Sequence, residues 1–308
     1  MLRLLWIAGI SLVLRQNAVP DELSIVNQGT TVAKVNRGDY SLPATPLIDP
    51  AKLDSLLDNV ERQTFRLPRD AEIGNHGGIV AEQPGYRLDR AGFTHLFHIY
   101  FYGSGTSSME VPLKLIYPKV DSELLAYLRE KPIGHYVTYF NAGNKNRSRN
   151  IALAAKAINN QVVFPNETFS FNQIVGQRNE KKGYVRAPVI VRGELSEGIG
   201  GGICQVSSTL FNAVDRAGLL IVKRYSHSRH VPYVLPGRDA TVSWGGPDFA
   251  FRNPYNQPIL IRAFASGGRM FISIYSSEVI DYRPRAVPGT SKRLPEEISI
   301  ETGSPKRN

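Results

Sequence analysis

Apolar residues recur along the chain at helical and strand spacings, and the two halves use them differently. In the first half, Leu53, Leu56, Leu57 and Val60 lie at helical spacing behind Asp49-Pro50, an N-cap followed by proline at the first turn. Leu88-Asp89 opens a second helical stretch, and short strands are predicted over residues 79–81 and 111–116. In the second half, Ser148 is placed to cap a helix over 149–157 whose stripe is Ile151, Ala154, Ala155 and Ile158, with Asn159-Asn160 as its stop. Leu210, Ala213, Val214, Ala217 and Leu220 mark a further helix, which Gly218 can end. Strands are predicted over 136–140, 161–164, 168–171, 187–191, 221–225, 241–244, 259–264 and 270–275. The pattern predicts an α+β fold: a cysteine-bearing helix packed on an antiparallel sheet, preceded by a smaller α+β domain.

Composition sharpens the division. The 308 residues are 42% hydrophobic with 14 Tyr and 13 Phe, enough for a packed core and too apolar for wholesale disorder. The net charge of +10 is unevenly spread, because residues 16–133 sum to −3 and residues 134–280 to +9. The break falls at Lys131-Pro132-Ile133-Gly134, so the predicted segments are a linker with strand character over 20–44, one domain over 45–133, a second over 134–280, and a flexible tail over 281–308. At the N-terminus, Arg3 precedes an apolar run over residues 4–14 and Arg15 follows it. That run is short of the roughly 20 residues that span a bilayer, but fits the apolar core of an export signal. Residues 1–19 are therefore expected to be a signal peptide or N-terminal anchor, with a buried first helix as the alternative. The protein is expected to be extracytoplasmic, meeting a membrane only through this segment. A basic balance admits nucleic acid, anionic membrane or an acidic polymer, but no basic motif interleaved with aromatics is present, so nucleic acid is not expected.

One cysteine excludes an internal disulfide framework and any multi-cysteine zinc site. Cys204 stands at the head of the helix carrying Leu210, directly behind Gly198-Ile199-Gly200-Gly201-Gly202-Ile203. A helix N-terminus favours thiolate over thiol, its free N–H groups can hold an oxyanion, and glycines allow a substrate backbone to approach. Cys204 is thus a candidate nucleophile, and a small buried hydrophobe is the alternative. Gly200, Gly201, Gly202, Gln205, Ser207 and Ser208 are the candidate substrate-binding residues around it. His227 and His230 are the histidines that follow, and either can serve as general base. Asp239 can orient that imidazole or be a plain turn residue after Gly237. Cys204, His227, His230 and Asp239 match no standard zinc spacing, and His95 and His98 lack a third ligand at ligand spacing, so neither metal nor cofactor is expected. Arg186, Arg192, Arg229 and Arg238 are candidate partners for substrate carboxylates.

These residues fall in a recognisable order. Phe140-Asn141-Ala142-Gly143-Asn144, Asn146-Arg147, Asn150-Ile151-Ala152-Leu153-Ala154, Phe169-Ser170-Phe171-Asn172 and Val175-Gly176 lead to the run from Gly200 to Leu210. His227-Ser228, the segment from Gly237 to Val242, Pro247-Asp248-Phe249 and Phe251-Arg252-Asn253 follow. Over roughly residues 135–277 the chain resembles a VanW domain. Residues 45–120, through Pro68-Arg69-Asp70-Ala71 and Gly85-Tyr86-Arg87-Leu88-Asp89, resemble the peptidoglycan-binding domain that often precedes one. Members of the family are implicated as cell-wall L,D-transpeptidases with a cysteine nucleophile and in glycopeptide resistance. The resemblance implies Cys204 as nucleophile, His227 as base through the His-Ser pair, peptidoglycan stem peptides and anionic wall polymers as partners, and Arg238 as a substrate contact inside the motif. The chain departs from the pattern at Asn166, where Pro-Gly-Glu is usual, and carries the upstream domain once. A peptidase or amidase on the same peptides, and a non-catalytic wall-binding protein, are the rival expectations.

Overall fold

The computed structural model describes residues 21–103, 107–191, 194–290 and 294. The expected signal or anchor over 1–19, and most of the tail beyond 290, lie outside the described residues. In chain order come strands β1 (Glu22–Asn27) and β2 (Thr30–Asn36), helix α1 (Pro50–Thr64), β3 (Glu72–Ile73), β4 (Ile79–Val80), β5 (Gly85–Leu88), α2 (Arg90–Tyr102), β6 (Ser108–Glu110), β7 (Leu113–Ile116), α3 (Ser122–Leu128) and β8 (Lys131–Tyr139). Then follow α4 (Lys145–Ile158), β9 (Val162–Val163), β10 (Thr168–Ser170), α5 (Phe171–Val175), β11 (Arg186–Val191), β12 (Glu194–Ile199), α6 (Ile203–Arg216), β13 (Leu220–Lys223), β14 (Ala250–Arg252), β15 (Ile259–Ser266) and β16 (Arg269–Ser276). The fold is α+β, with its sheets mostly antiparallel. Among the described residues, no helix is long and apolar enough to cross a membrane.

Described residues 21–70 and 82–119 form one compact unit; 71–81 and those from 120 onward form another. In the first, Asp49 caps α1 by accepting from the amides of Ala51 and Lys52, and the helix buries Leu53, Leu56, Leu57 and Val60 as its spacing predicts. Within the stretch expected as a linker with strand character, residues 22–36 form the hairpin β1–β2, whose Leu23, Ile25 and Val35 are buried in that unit's core. The reason is its turn: Gln28 and Gly29 both take positive φ (49° and 80°), the geometry that matches strand twist, without the Asn-Gly signature that would announce it.

The second unit is built on the antiparallel sheet β9-β15-β16-β8, and α6 packs against β8 and β16 while α4 packs against β15. A cysteine-bearing helix on an antiparallel sheet is therefore the observed arrangement. Helix α4 begins four residues earlier than the pattern suggested. Asn144 caps it by accepting from the Arg147 amide, whereas Ser148 lies inside the helix and bonds back to the Asn144 carbonyl. Helix α6 ends at Arg216, and Leu220, expected on its stripe, opens β13 after the left-handed Gly218. The core between these layers holds Phe171, Phe249 and Phe251 fully buried. Each such ring contributes on the order of 2–3 kcal/mol by burial.

Two further expectations change. Residues 241–244 form no strand; they belong to a long connection, residues 224–249, that contains neither helix nor strand. Residues 281–287, expected to open the flexible tail, are tied to the end of α6. Arg285 donates from its amide to the Arg216 carbonyl and from Nη1 to Asp215 (2.9 Å), and Arg216 donates to the Val287 carbonyl (2.8 Å).

Candidate active site

The glycine run has three different jobs. Gly200 and Gly202 take φ of +89° and +103°, a region that residues with a Cβ rarely enter, and so turn the chain sharply from β12 into α6. Gly201 is needed for closeness: a Cβ there would lie 2.5 Å from the Pro188 carbonyl oxygen and 2.6 Å from the Ala187 carbonyl. Asn150, fully buried on α4, donates to the Gly201 and Val185 carbonyls and accepts from the Val185 amide, which locks this turn to the neighbouring chain. Cys204 thus emerges as the second residue of α6, whose first turn no side chain caps.

The sulfur faces a cavity of about 440 Å³ lined by both sides of the turn and by the 224–249 connection. Thr241 places its hydroxyl 3.6 Å from Sγ, and the Val242 carbonyl oxygen lies at 3.5 Å. From the same connection His227 lines the cavity beside the sulfur, close enough for the two groups to shift one another. Behind His227, a single carboxylate oxygen, Asp239 Oδ2, accepts from both the His227 backbone amide and Nδ1, each at 2.6 Å. The two side chains are 7% and 9% exposed, so the pair is shielded from bulk solvent. With Nδ1 held by the carboxylate, Nε2 is the nitrogen left for the sulfur. His230 also lines the cavity but is exposed and has no such support.

Electrostatics follow from this contact. Burial alone would push the Cys204 thiol up, but the hydrogen bond and charge of His227 outweigh it and hold the thiol below its ordinary value. Burial would likewise depress His227, yet Asp239 and the Cys204 sulfur raise it to about 9. Asp239 is lowered, burial being overcome by its two bonds to His227. All three shifts point toward a thiolate beside an imidazolium backed by a carboxylate. Since His227 is raised, the stability it lends is full below its ordinary pKa near 6.5 and disappears as pH climbs through about 9. Asp239, being lowered, lends stability above its ordinary pKa and loses it as pH falls through the depressed one. Alkylation of Cys204 by iodoacetamide should therefore slow less between pH 8 and pH 6 than that of an ordinary thiol. A thiol of ordinary pKa would slow roughly 80-fold over that span, and such slowing here would refute the ion pair.

The remaining expected substrate contacts divide. Gly200, Gly202 and Gln205 line the cavity; Gly201, Ser207, Ser208 and Arg238 do not. Gln205 is fully buried, and its amide donates to Thr138 Oγ1 (3.0 Å) and the Tyr139 carbonyl (2.9 Å) while its oxygen accepts from Arg147 (2.8 Å). Its hydrogen bonds serve the protein. Ser207 and Ser208 both donate to the Ala240 carbonyl, and Ser208 accepts from the Ala240 amide (2.9 Å). They grip the residue after Asp239 and so set that carboxylate against α6. Arg238 reaches Asn212 Oδ1 and Asp215 Oδ2, both at 2.8 Å, and lies over the Phe211 ring, at the opposite end of α6 from Cys204. These inward roles correct the expectation that the side chains of Gln205, Ser207, Ser208 and Arg238 are aimed at substrate. Arg186 lies in β11 outside the lining, Arg192 is outside the described residues, and Arg229 is at the cavity. Sequence reasoning missed Arg178, which lines the cavity from the loop after α5, and assigned no role to Arg147 or Tyr233. No period or motif spacing marks Arg178, since it enters the site only through the packing of α5 beside the glycine turn.

The comparisons agree with this order of residues. The model of the VanW like protein family matches residues 146–275. Among curated proteins, the chain is 58% identical over 297 residues to the uncharacterized protein YoaR of Bacillus subtilis strain 168, covering 96% of this chain and 98% of that one. It is 35% identical over 117 residues to the vancomycin B-type resistance protein VanW of Enterococcus faecalis strain V583, covering 35% of this chain and 42% of that one. No solved structure matches the chain.

Proposed function

The chain is a YoaR-like protein with a VanW domain, and from that premise we propose that it transfers acyl groups on peptidoglycan stem peptides through a thioester on Cys204. Family membership implies a role connected with the cell wall or with glycopeptide resistance. The finer reading is carried by one observation: a half-buried cysteine lining a cavity beside a histidine that is itself held by a buried carboxylate.

The chemistry closes on these groups. The Cys204 thiolate attacks a stem-peptide carbonyl, and the Cys204 amide is the first-turn N–H of α6 proposed to meet the oxyanion, since those of Ile203 and Gln205 already donate to Gly200 and Gly202. His227, as imidazolium, gives its Nε2 proton to the departing nitrogen, so a D-amino acid leaves and the thioester remains. Neutral His227 then takes a proton from the amine of a neighbouring stem as that amine attacks the thioester. The new amide forms and the thiolate–imidazolium pair returns. Asp239 holds the imidazole in the tautomer that both half-reactions need. The first compact unit is the proposed wall-binding part, residues 1–19 the proposed route outward, and anionic wall polymers proposed further partners.

Purified protein and a Cys204→Ala variant incubated with tetrapeptide muropeptides test this by mass spectrometry. Cross-linked dimers and free D-amino acid from the wild type alone are expected. Trimmed monomers alone would replace the reading with a cysteine peptidase or amidase. Identical products from both proteins would end the catalytic reading and leave a wall-binding protein.

A further inference from the structure

The cavity is built for an anion. Its lining carries Arg147, Arg178, Arg229, His227 and His230, and no aspartate or glutamate is among the described residues that form it. Within that set Arg178 is distinct. Both terminal nitrogens of its guanidinium are buried and hydrogen-bond to nothing among the described residues. Its stem lies against the turn, where a Cβ on Gly200 would come within 3.3 Å of the Arg178 Cβ and 3.4 Å of its Cγ. Its head lies over the Phe171 ring, 5.6 Å from the centroid. The Cys204 sulfur, the Tyr184 hydroxyl and the Asp248 carboxylate act on it through space, without a hydrogen bond to it, and Asp248 already accepts from Ser170 Oγ, the Asn172 amide and the Phe249 amide. A buried guanidinium without partners is costly to keep, and such groups persist where a ligand supplies the missing acceptors.

We propose that Arg178 is the anion-binding residue of the Cys204 cavity, and that the acyl donor brought to Cys204 carries a carboxylate which the Arg178 fork grips. The inference rests on the reading of Cys204 as nucleophile. A planar fork with both terminal nitrogens free matches a carboxylate in two parallel hydrogen bonds. The apolar remainder of the lining, including Pro188, Val189 and Val231, excludes water that would compete for them. Stem peptides end in such a carboxylate, so Arg178 would choose donors by their free terminus. Once that group is held, the scissile carbonyl is registered against the sulfur.

Alkylation of Cys204 in the full chain tests this without any turnover assay. Rate constants are measured with iodoacetate, an anion, and iodoacetamide, its neutral analogue, for the wild type and for R178M, R178Q and R178K. Losing a charged hydrogen bond should lower the iodoacetate-to-iodoacetamide ratio by about tenfold or more in R178M and R178Q. R178K, which keeps the charge but not the fork, should fall in between. The ratio, rather than either rate alone, carries the test, because the charge of Arg178 also acts on the sulfur. R178M should also melt at a higher temperature than the wild type, since it removes an unpaired buried charge and keeps the stem. Should these variants fail to fold, the wild type alone still decides: N-acetyl-D-alanine should protect Cys204 from iodoacetamide, and N-acetyl-D-alaninamide should not. An unchanged ratio, or equal protection by acid and amide, overturns the role of Arg178 and leaves the nucleophile reading intact. Parallel loss of both rates overturns it too, because Arg178 would then act on the thiolate instead of the anion. A Cys204 that reacts with neither reagent brings down the nucleophile reading and this inference together.

Discussion

Asp239→Asn is expected to slow acyl transfer by about 10³- to 10⁴-fold in a protein that still folds. Asp239 Oδ2 receives two N–H groups of His227, and so fixes which ring nitrogen carries the proton. Asparagine has nearly the same shape but one carbonyl oxygen and an NH₂ that can only donate. Turned toward Nδ1, that NH₂ would demand an acceptor there, shift the proton to Nε2, and leave nothing to receive a proton from the sulfur or from an attacking amine. Loss of the carboxylate charge also removes the first support that raises His227 to about 9, so the imidazolium weakens and the Cys204 thiol climbs back toward its ordinary value. The pH dependence of iodoacetamide alkylation should therefore move upward in Asp239→Asn, with slow reaction at pH 6 and recovery at alkaline pH. An Asp239→Asn protein with wild-type rates and an unshifted profile would reduce Asp239 to the turn residue that its position after Gly237 first allowed.

Gly201→Ala should cost about 2–4 kcal/mol of stability and at the same time impair the site. The atoms a new Cβ would strike, at 2.5 and 2.6 Å, belong to the backbone of β11 and cannot rotate away. Either the β11–β12 hairpin retreats or the start of α6 does. Cys204 lies three residues further on, and displacement of a nucleophile by about 1 Å from its partner groups costs on the order of 100-fold. Gly237→Ala is the matched control: its Cβ would enter open space, so only the φ of +73° opposes it, at about 1–2 kcal/mol. Chemical denaturation and Cys204 alkylation, measured on both, separate the two causes. Equal stability of Gly201→Ala and wild type would mean that the turn is looser than its packing implies.

The parts of this molecule that were legible in sequence are those where one periodicity acts alone. The stripe of α4 and the run from Cys204 into α6 both announce buried helix faces, and Asp49-Pro50 announces the start of α1. The histidine and carboxylate were legible as chemistry, as residue types in the right order behind a cysteine. What sequence could not show is direction. Gln205, Ser207 and Ser208 stand beside the nucleophile in the chain, yet the turn of a helix points them at β8 and at Ala240. Arg178 stands far from it in the chain and arrives by tertiary packing. The β1–β2 hairpin was hidden because its polar residues outnumber the three that are buried.

The connection over residues 224–249 carries His227 and Asp239 but contributes no strand to any sheet. Its shape is set by contacts to fixed points: Asn212 and Ser208 on α6 hold Arg238 and Ala240, Asn172 holds Ser243 and Pro247, and Arg224 holds Gly237 and Asp239. The nucleophile is thereby lodged on a core helix, and its proton-handling partner on a connection that side-chain clamps hold in place. Between those clamps the exposed His230 lines the cavity, so a change of side chain there redraws its mouth. Descendants of one such chain can thus diversify in what they accept while inheriting the same sulfur in the same place.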